Sequence, residues 1–125
     1  MKVTGRVNAE FLARYKIKAQ DNLVKTADAM KTDLVQSQTM PFDTGALQNN
    51  STFVDDSNKY QNKVKIVSDT PYARKLYFHP EFNFQQGKNA NAGGQWFEPY
   101  ISGDKKDFAA KTFSRLMRRS SNTWI

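Results

Sequence analysis

Few side chains in this sequence could carry out catalysis or hold a metal ion. It has no cysteine and a single histidine, His79, which excludes thiolate chemistry, cysteine-based metal sites and clusters of histidine ligands. No triad partner accompanies His79, and the pair Gly93-Gly94 is not followed by the Lys and Ser/Thr of a phosphate-binding loop. The acidic pair Asp55-Asp56 suits a turn better than a magnesium site. We therefore predict no enzyme activity, no cofactor and no bound metal.

One short run does match a catalytic signature. Asp43-Thr44-Gly45-Ala46 has the form of the aspartic-protease turn, whose chemistry requires two aspartates that share a proton. That turn normally follows an apolar strand, whereas Thr39-Met40-Pro41-Phe42 precedes it here. We interpret Asp43, Thr44 and Gly45 as a structural turn, in which Asp43 or Thr44 caps the start of a short helical turn.

The chain is basic, with 19 Lys and Arg against 12 Asp and Glu and a net charge of +7. Such a surface suits nucleic acid or an acidic protein. The densest cluster is Arg115, Arg118 and Arg119, our candidates for contacts with DNA or with an acidic partner. The alternative is that the basic residues only form solvated helix faces.

Aromatic residues are concentrated between residues 72 and 100, and their number exceeds what one face of a small sheet needs. This concentration has three interpretations, which are plain core packing, stacking on nucleic-acid bases and a protein–protein interface. We predict a subunit or partner interface formed by Tyr72, Tyr77, Phe78, Phe82, Phe84, Trp96 and Phe97.

A long N-terminal helix gives the clearest local signal, because apolar residues recur every three or four positions over residues 8–36. The stripe consists of Leu12, Tyr15, Ala19, Leu23, Ala27, Met30 and Leu34. A helix of this length spans roughly 40 Å, which is long for so small a domain. We expect part of it to project or to pack on another subunit.

The remaining pattern predicts a small antiparallel hairpin and a second helix. Strands are expected near 50–54 and 63–67, and a helix from Asp104 to about Met117, with Asp104 and Asp107 in its first turn. The pattern does not decide whether residues 72–78 form a helix or a strand. Residues 85–95, which are polar and rich in glycine, predict a mobile loop.

These elements predict an α+β fold in one domain spanning residues 1–125. Leu, Ile, Val and Phe make up about a fifth of the sequence, near the limit for independent folding, so neighbouring subunits are expected to add stability. No apolar run reaches the ~20 residues of a membrane span, and the N-terminus has no signal-peptide pattern. The expected compartment is the cytoplasm of the producing cell.

Three segments in order resemble a known group of proteins. They are the run from Met40 to Leu47, the run Thr70-Pro71-Tyr72-Ala73 continuing to Phe78, and Trp96-Phe97-Glu98 before the last helix. This order resembles the minor capsid proteins, and the wider group of head–tail joining and tail-completion proteins, of tailed phages and prophages of Gram-positive bacteria. In those proteins a Pro-x-Asp-Thr-Gly-x-Leu turn follows a long N-terminal helix.

The resemblance, which covers roughly residues 8–119, implies a virion protein without catalysis. It implies a place in the neck, as part of a homo-oligomeric ring between the head connector and the tail. Its partners would be other virion proteins, with DNA passing nearby but not bound specifically, and it would be in the host cytoplasm during assembly. The alternative, from charge alone, is a small basic nucleic-acid-binding protein.

Overall fold

Two helices that flank a β-hairpin form the frame of the molecule. The computed structural model describes residues 9–38, 40, 52–81 and 93–121. In chain order the elements are α1 (Ala9–Gln36), β1 (Thr52–Asp55), a 3₁₀ turn (Lys59–Gln61), β2 (Lys65–Ser68), α2 (Pro71–Tyr77), α3 (Glu98–Ile101) and α4 (Phe108–Ser121). This order confirms the predicted α+β fold with a long N-terminal helix, a two-stranded sheet and a C-terminal helix.

Several predicted features lie outside the described residues. They are the turn Asp43-Thr44-Gly45, the rings of Phe82 and Phe84, and the loop predicted at 85–95 apart from its last three residues.

Helix α1 ends at Gln36, as the stripe over residues 8–36 predicted. Ser37 donates its backbone N–H to the Asp33 carbonyl, and its hydroxyl donates to the Leu34 carbonyl at 2.6 Å. Gln38 then takes a left-handed conformation with φ 59°, which turns the chain away from the helix axis.

The hairpin joins β1 and β2 in antiparallel register, with Phe53 opposite Val67 and Val54 opposite Ile66. Strand β2 begins two residues later than predicted, at Lys65, after a connection that starts with a turn at Asp55. The Asp55 carboxylate accepts bonds from the Ser57 N–H at 3.0 Å and hydroxyl at 2.6 Å, and Asn62 closes the 3₁₀ turn with φ 62°. Short polar side chains stabilise such turns by these local bonds.

Helix α2 settles the choice that the sequence pattern left open for residues 72–78. Thr70 caps the helix, since its hydroxyl accepts the Ala73 N–H at 3.0 Å. Pro71 occupies the first turn, where the N–H that proline lacks would have no helical partner in any case.

Helix α4 starts four residues later than predicted. The expectation that Asp104 and Asp107 lie in its first turn is wrong, because residues 104–107 form turns before the helix. The Lys105 N–H bonds to the Pro99 carbonyl at 2.9 Å, which holds this segment against α3. Helical bonding then runs from the Asp107 carbonyl to the Lys111 N–H. Arg118 and Arg119 lie in the last turn of the helix.

The core lies where the C-terminal half of α1 meets α2 and the segment before α3. Its buried members are Leu34, Met40, Ala73, Leu76 and Trp96. Helix α4 packs antiparallel along α1, since Asn22 bonds to Ser120 at the end of α4 while Asp33 bonds to Lys105 just before it. Within the described ranges, no helix has the length and apolar character to cross a membrane.

Candidate assembly surface

The N-terminal end of α1 projects from the rest of the described chain. Residues 9–17 are exposed without exception. Hydrogen bonds to other elements begin at Gln20, whose side chain donates to Asn62 in the hairpin turn at 3.1 Å, and at Asn22, whose side chain donates to Ser120 in α4 at 3.0 Å. From Ala9 to Gln20 the helix rises about 16 Å. We call residues 9–18 the projecting end.

Four large apolar side chains lie on the projecting end. Phe11, Leu12, Tyr15 and Ile17 keep between 42% and 57% of their surface exposed. Phe11 and Tyr15 are one helical turn apart, and their ring centroids lie 6.3 Å from each other. Exposed apolar side chains occur singly on most proteins, but a contiguous group on one element is typical of an interaction site.

The same apolar stripe is buried in the second half of the helix and about half exposed in the first. Ala27 and Leu34 are buried, whereas Leu12 and Tyr15 are 49% and 44% exposed. The predicted projection of α1 is therefore present, and the structure adds Phe11 and Ile17, which the stripe left out. The signal available in the sequence was the excess length of the helix over the domain that it serves.

An apolar groove lies beside the covered half of α1. It has a volume of about 370 Å³. Its walls come from α1, β2, α3 and the start of α4, and its lining includes Leu23, Met30, Val64, Ile66, Phe97, Ile101 and Ala109. Ile101 is 66% exposed, so the groove is open to solvent along the α3 side. We call it the α1–α3 groove.

The predicted aromatic interface residues divide into core and surface. Trp96 is only 1% exposed and belongs to the core of its own chain, and Tyr77 and Phe97 pack half-buried against it. Phe78 is 66% exposed. The side chain of Tyr72 is outside the described residues. Among the described rings of the prediction, only Phe78 has most of its surface exposed to solvent.

Ring geometry explains how these aromatics hold the core together. Tyr77 meets Trp96 edge-to-face, with centroids 4.9 Å apart and planes at 90°, and meets Phe78 in the same way at 5.1 Å. Edge-to-face contacts place a positive ring edge on a negative ring face. A 230 Å³ hollow beside them is lined by Arg74, Phe78 and other residues of this cluster.

Trp96 reaches its place because the preceding segment lies directly on the end of α2. The Gln95 N–H donates to the Tyr77 carbonyl at 3.0 Å. A Cβ at Gly94 would lie 2.8 Å from the Leu76 carbonyl oxygen and 3.0 Å from that of Tyr77. Only glycine allows this approach of two backbones.

A polar network joins α1 to the start of the α3–α4 segment. The Asp33 carboxylate accepts a bond from the Tyr100 hydroxyl at 2.5 Å and one from Lys105 Nζ at 2.8 Å. Burial acts to raise the pKa of Asp33, but the bonds from Lys105 and Tyr100 outweigh it and hold this pKa below its usual value. Burial and the neighbouring carboxylate raise the pKa of Tyr100. The network stabilises the fold and fixes the rim of the α1–α3 groove.

The three predicted arginines lie on or near one outward face of α4. Arg115 and Arg118 line a shallow surface hollow together with Lys111, Ser114 and Asp107. Arg119, the third, is exposed as well. The arrangement is a cationic strip along a helix, with one acidic residue at its start.

His79 lies at the surface, where its Nδ1 is 2.8 Å from Glu81 Oε1. That hydrogen bond lowers the pKa of Glu81. In the part of the chain that the structure describes, no group of three potential metal ligands comes together.

Comparisons with protein-family models, with curated proteins and with solved structures gave no match.

Proposed function

We propose that this chain is a non-enzymatic assembly subunit, which forms a ring of identical copies at the head–tail neck of a phage virion. The observation that carries the assembly role is the projecting end of α1. A helix end with four large apolar side chains in solvent is stabilised when another surface covers them. The setting in the neck comes from the resemblance of the three sequence segments.

The covered and uncovered halves of α1 support this role. The domain covers its own stripe from Gln20 onward with the hairpin turn and α4, so the helix extends well beyond its own core. A helix that serves only its own domain gains little from such an extension. A subunit that completes a neighbour's surface gains buried apolar area at each contact.

The first test measures self-association. Sedimentation velocity over a range of concentrations is expected to show oligomers of the wild-type chain, and electron microscopy is expected to show rings. Leu12→Asp places a charge in the exposed stripe and is expected to shift the chain to monomer. Thr32→Asp, which adds the same charge at an exposed site on the covered half of α1, serves as the matched control and is expected to assemble.

The second test addresses the neck. In phage particles whose genome encodes Leu12→Asp, heads and tails are expected to accumulate unjoined, while Thr32→Asp gives normal infectious particles. A wild-type protein that stays monomeric at every concentration and binds neither heads nor tails would overturn the proposal.

The basic strip of α4 favours a second candidate function, binding of nucleic acid. Lys111, Arg115, Arg118 and Arg119 are all exposed on this helix, and such a strip can track a phosphate backbone. The dependence of binding on salt separates this function from assembly through apolar contacts.

A further inference from the structure

The projecting end has apolar side chains on two sides of the helix. At about 100° per residue, Phe11, Leu12 and Tyr15 fall within an arc of roughly 100°. Ile17 lies roughly 120° or more from each of them. A partner with a flat face would cover one side and leave the other in water, so a surface that surrounds the helix end buries more.

The exposed apolar area also argues against simple pairing of two projecting ends. With side chains of roughly 200 Å² that are about half exposed, the four residues present on the order of 400 Å². A stable interface needs about 800 Å² on each partner. Two ends that packed on each other through these four side chains would supply about half of that area, so a contact built on them needs further surface.

The α1–α3 groove is such a surface, and it belongs to the same chain. It is open and lined mainly by apolar side chains from four elements, and Ile101 stands exposed at its rim. Leu23 and Met30, which line it, continue the stripe that begins at Leu12 and Tyr15. Each copy therefore carries a protruding apolar helix end and, farther along α1, an apolar groove.

We infer that the projecting end of α1 in one copy inserts into the α1–α3 groove of the next copy. Each subunit then uses two different surfaces, its helix end toward one neighbour and its groove toward the other. A contact of this heterologous kind forms a ring when the rotation between copies closes. The inference rests on the proposed function and specifies the two surfaces that meet.

Disulfide trapping tests the inference directly, because the natural chain has no cysteine. Leu12→Cys protein is mixed with Ile101→Cys protein and oxidised, and non-reducing electrophoresis is expected to show a mixed covalent dimer. The matched control mixes Leu12→Cys with Thr32→Cys, which places the second thiol at an exposed site away from the groove. We expect at least about tenfold less product there, because the contact raises the effective thiol concentration only at the groove.

The double variant, Leu12→Cys with Ile101→Cys, distinguishes the symmetry of the contact. A head-to-tail contact produces a ladder of covalent multimers, since every copy carries both thiols. Covalent dimers alone would show a reciprocal two-fold exchange and would overturn the inference. Homodimers of Leu12→Cys as the main product, or a disulfide within one chain, would overturn it as well.

Sedimentation of the cysteine-free chain in parallel separates this inference from the proposed function. Oligomers without a mixed disulfide would overturn the groove contact and leave the assembly role in place. Absence of oligomers at every concentration would overturn the groove contact, and together with a failure to bind heads or tails it would overturn the assembly role as well.

Discussion

Trp96 shows how one side chain supports both the core and the groove. It lies between α2 and α3, packs edge-to-face on Tyr77, and is followed directly by Phe97, which lines the α1–α3 groove. Among the described residues, no acceptor reaches its buried Nε1 atom. A buried donor without a partner lowers stability, so the stabilising contribution of this residue comes from its apolar ring surface.

Substitution of Trp96 is expected to separate ring volume from hydrogen bonding. Trp96→Ala leaves a cavity and is expected to cost about 3–5 kcal/mol of unfolding free energy. Trp96→Phe keeps the six-membered aromatic ring and loses the pyrrole ring with its unsatisfied N–H, so it leaves a smaller cavity and we expect about 1–2 kcal/mol. Urea denaturation followed by circular dichroism measures both. Equal losses for the two variants would contradict this account and point to a hydrogen bond at Nε1.

Asp33 gives the fold a dependence on pH. Its pKa is lower in the folded chain than in the unfolded chain, so its stabilising contribution is present above about pH 4 and is lost as pH falls through the lowered folded value. Since Asp33 and Lys105 are about one-third exposed, solvent screening limits the pair to about 1 kcal/mol or less. Asp33→Asn is expected to be less stable than wild type at pH 7 and to approach it near pH 3.

Thermal unfolding at a series of pH values measures this difference. Ser114→Ala, on the exposed face of α4, provides a control whose difference from wild type should not change with pH. A difference for Asp33→Asn that stayed constant from pH 7 to pH 3 would exclude Asp33 as the titrating group.

At the scale of elements, the sequence predicts best where a local signal and the tertiary contacts agree. The spacing from Leu12 to Leu34 predicted α1, and the alternation near Val64 and Ile66 predicted a strand. Helix α2 was undecided because seven residues do not distinguish a period of 3.6 from a period of 2. The cap at Thr70 and Pro71 decided it, and both residues were visible in the sequence.

The start of α4 was mispredicted for a physical reason. Asp104 and Asp107 have the types that favour the first turn of a helix, but the Lys105 N–H bonds to the Pro99 carbonyl and holds the segment in turns. Similarly, the ring-rich stretch did not reveal that Trp96 would be buried. Which ring enters the core depends on the close approach of two backbones at Gly94. No periodicity in the sequence indicates that contact.

The two halves of α1 are expected to differ in amide hydrogen exchange. In dilute protein, residues 9–18 should exchange fast because only local helix bonds protect them, whereas residues 23–34 should exchange slowly under α4 and the hairpin. At high concentration, assembly should slow amide exchange in residues 9–18, because a neighbouring copy then covers them. Mass spectrometry of peptides from the two halves measures both rates. Slow exchange at residues 9–18 in demonstrably monomeric protein would show that the end is covered within its own chain.

At the scale of the whole molecule, a net charge of +7 and an exposed apolar helix end favour different partners. The positive charge attracts phosphate backbones over long distances, and the helix end favours a close apolar contact. The two contributions respond differently to salt. Added salt weakens nucleic-acid binding because it makes the release of counterions less favourable, whereas it does not weaken the burial of apolar surface.

Salt titration should therefore separate assembly from nucleic-acid binding. Between about 50 and 200 mM salt, binding of a DNA duplex through several phosphate contacts should weaken by orders of magnitude, while the oligomers seen in sedimentation should persist. Arg115→Gln with Arg118→Gln is expected to reduce DNA binding and its salt slope, by about one for each phosphate contact removed, and to leave the oligomers intact. Leu12→Asp is expected to do the reverse. Oligomers that dissociate with the same salt slope as the DNA complex would mean that charge, and not the helix end, holds the copies together.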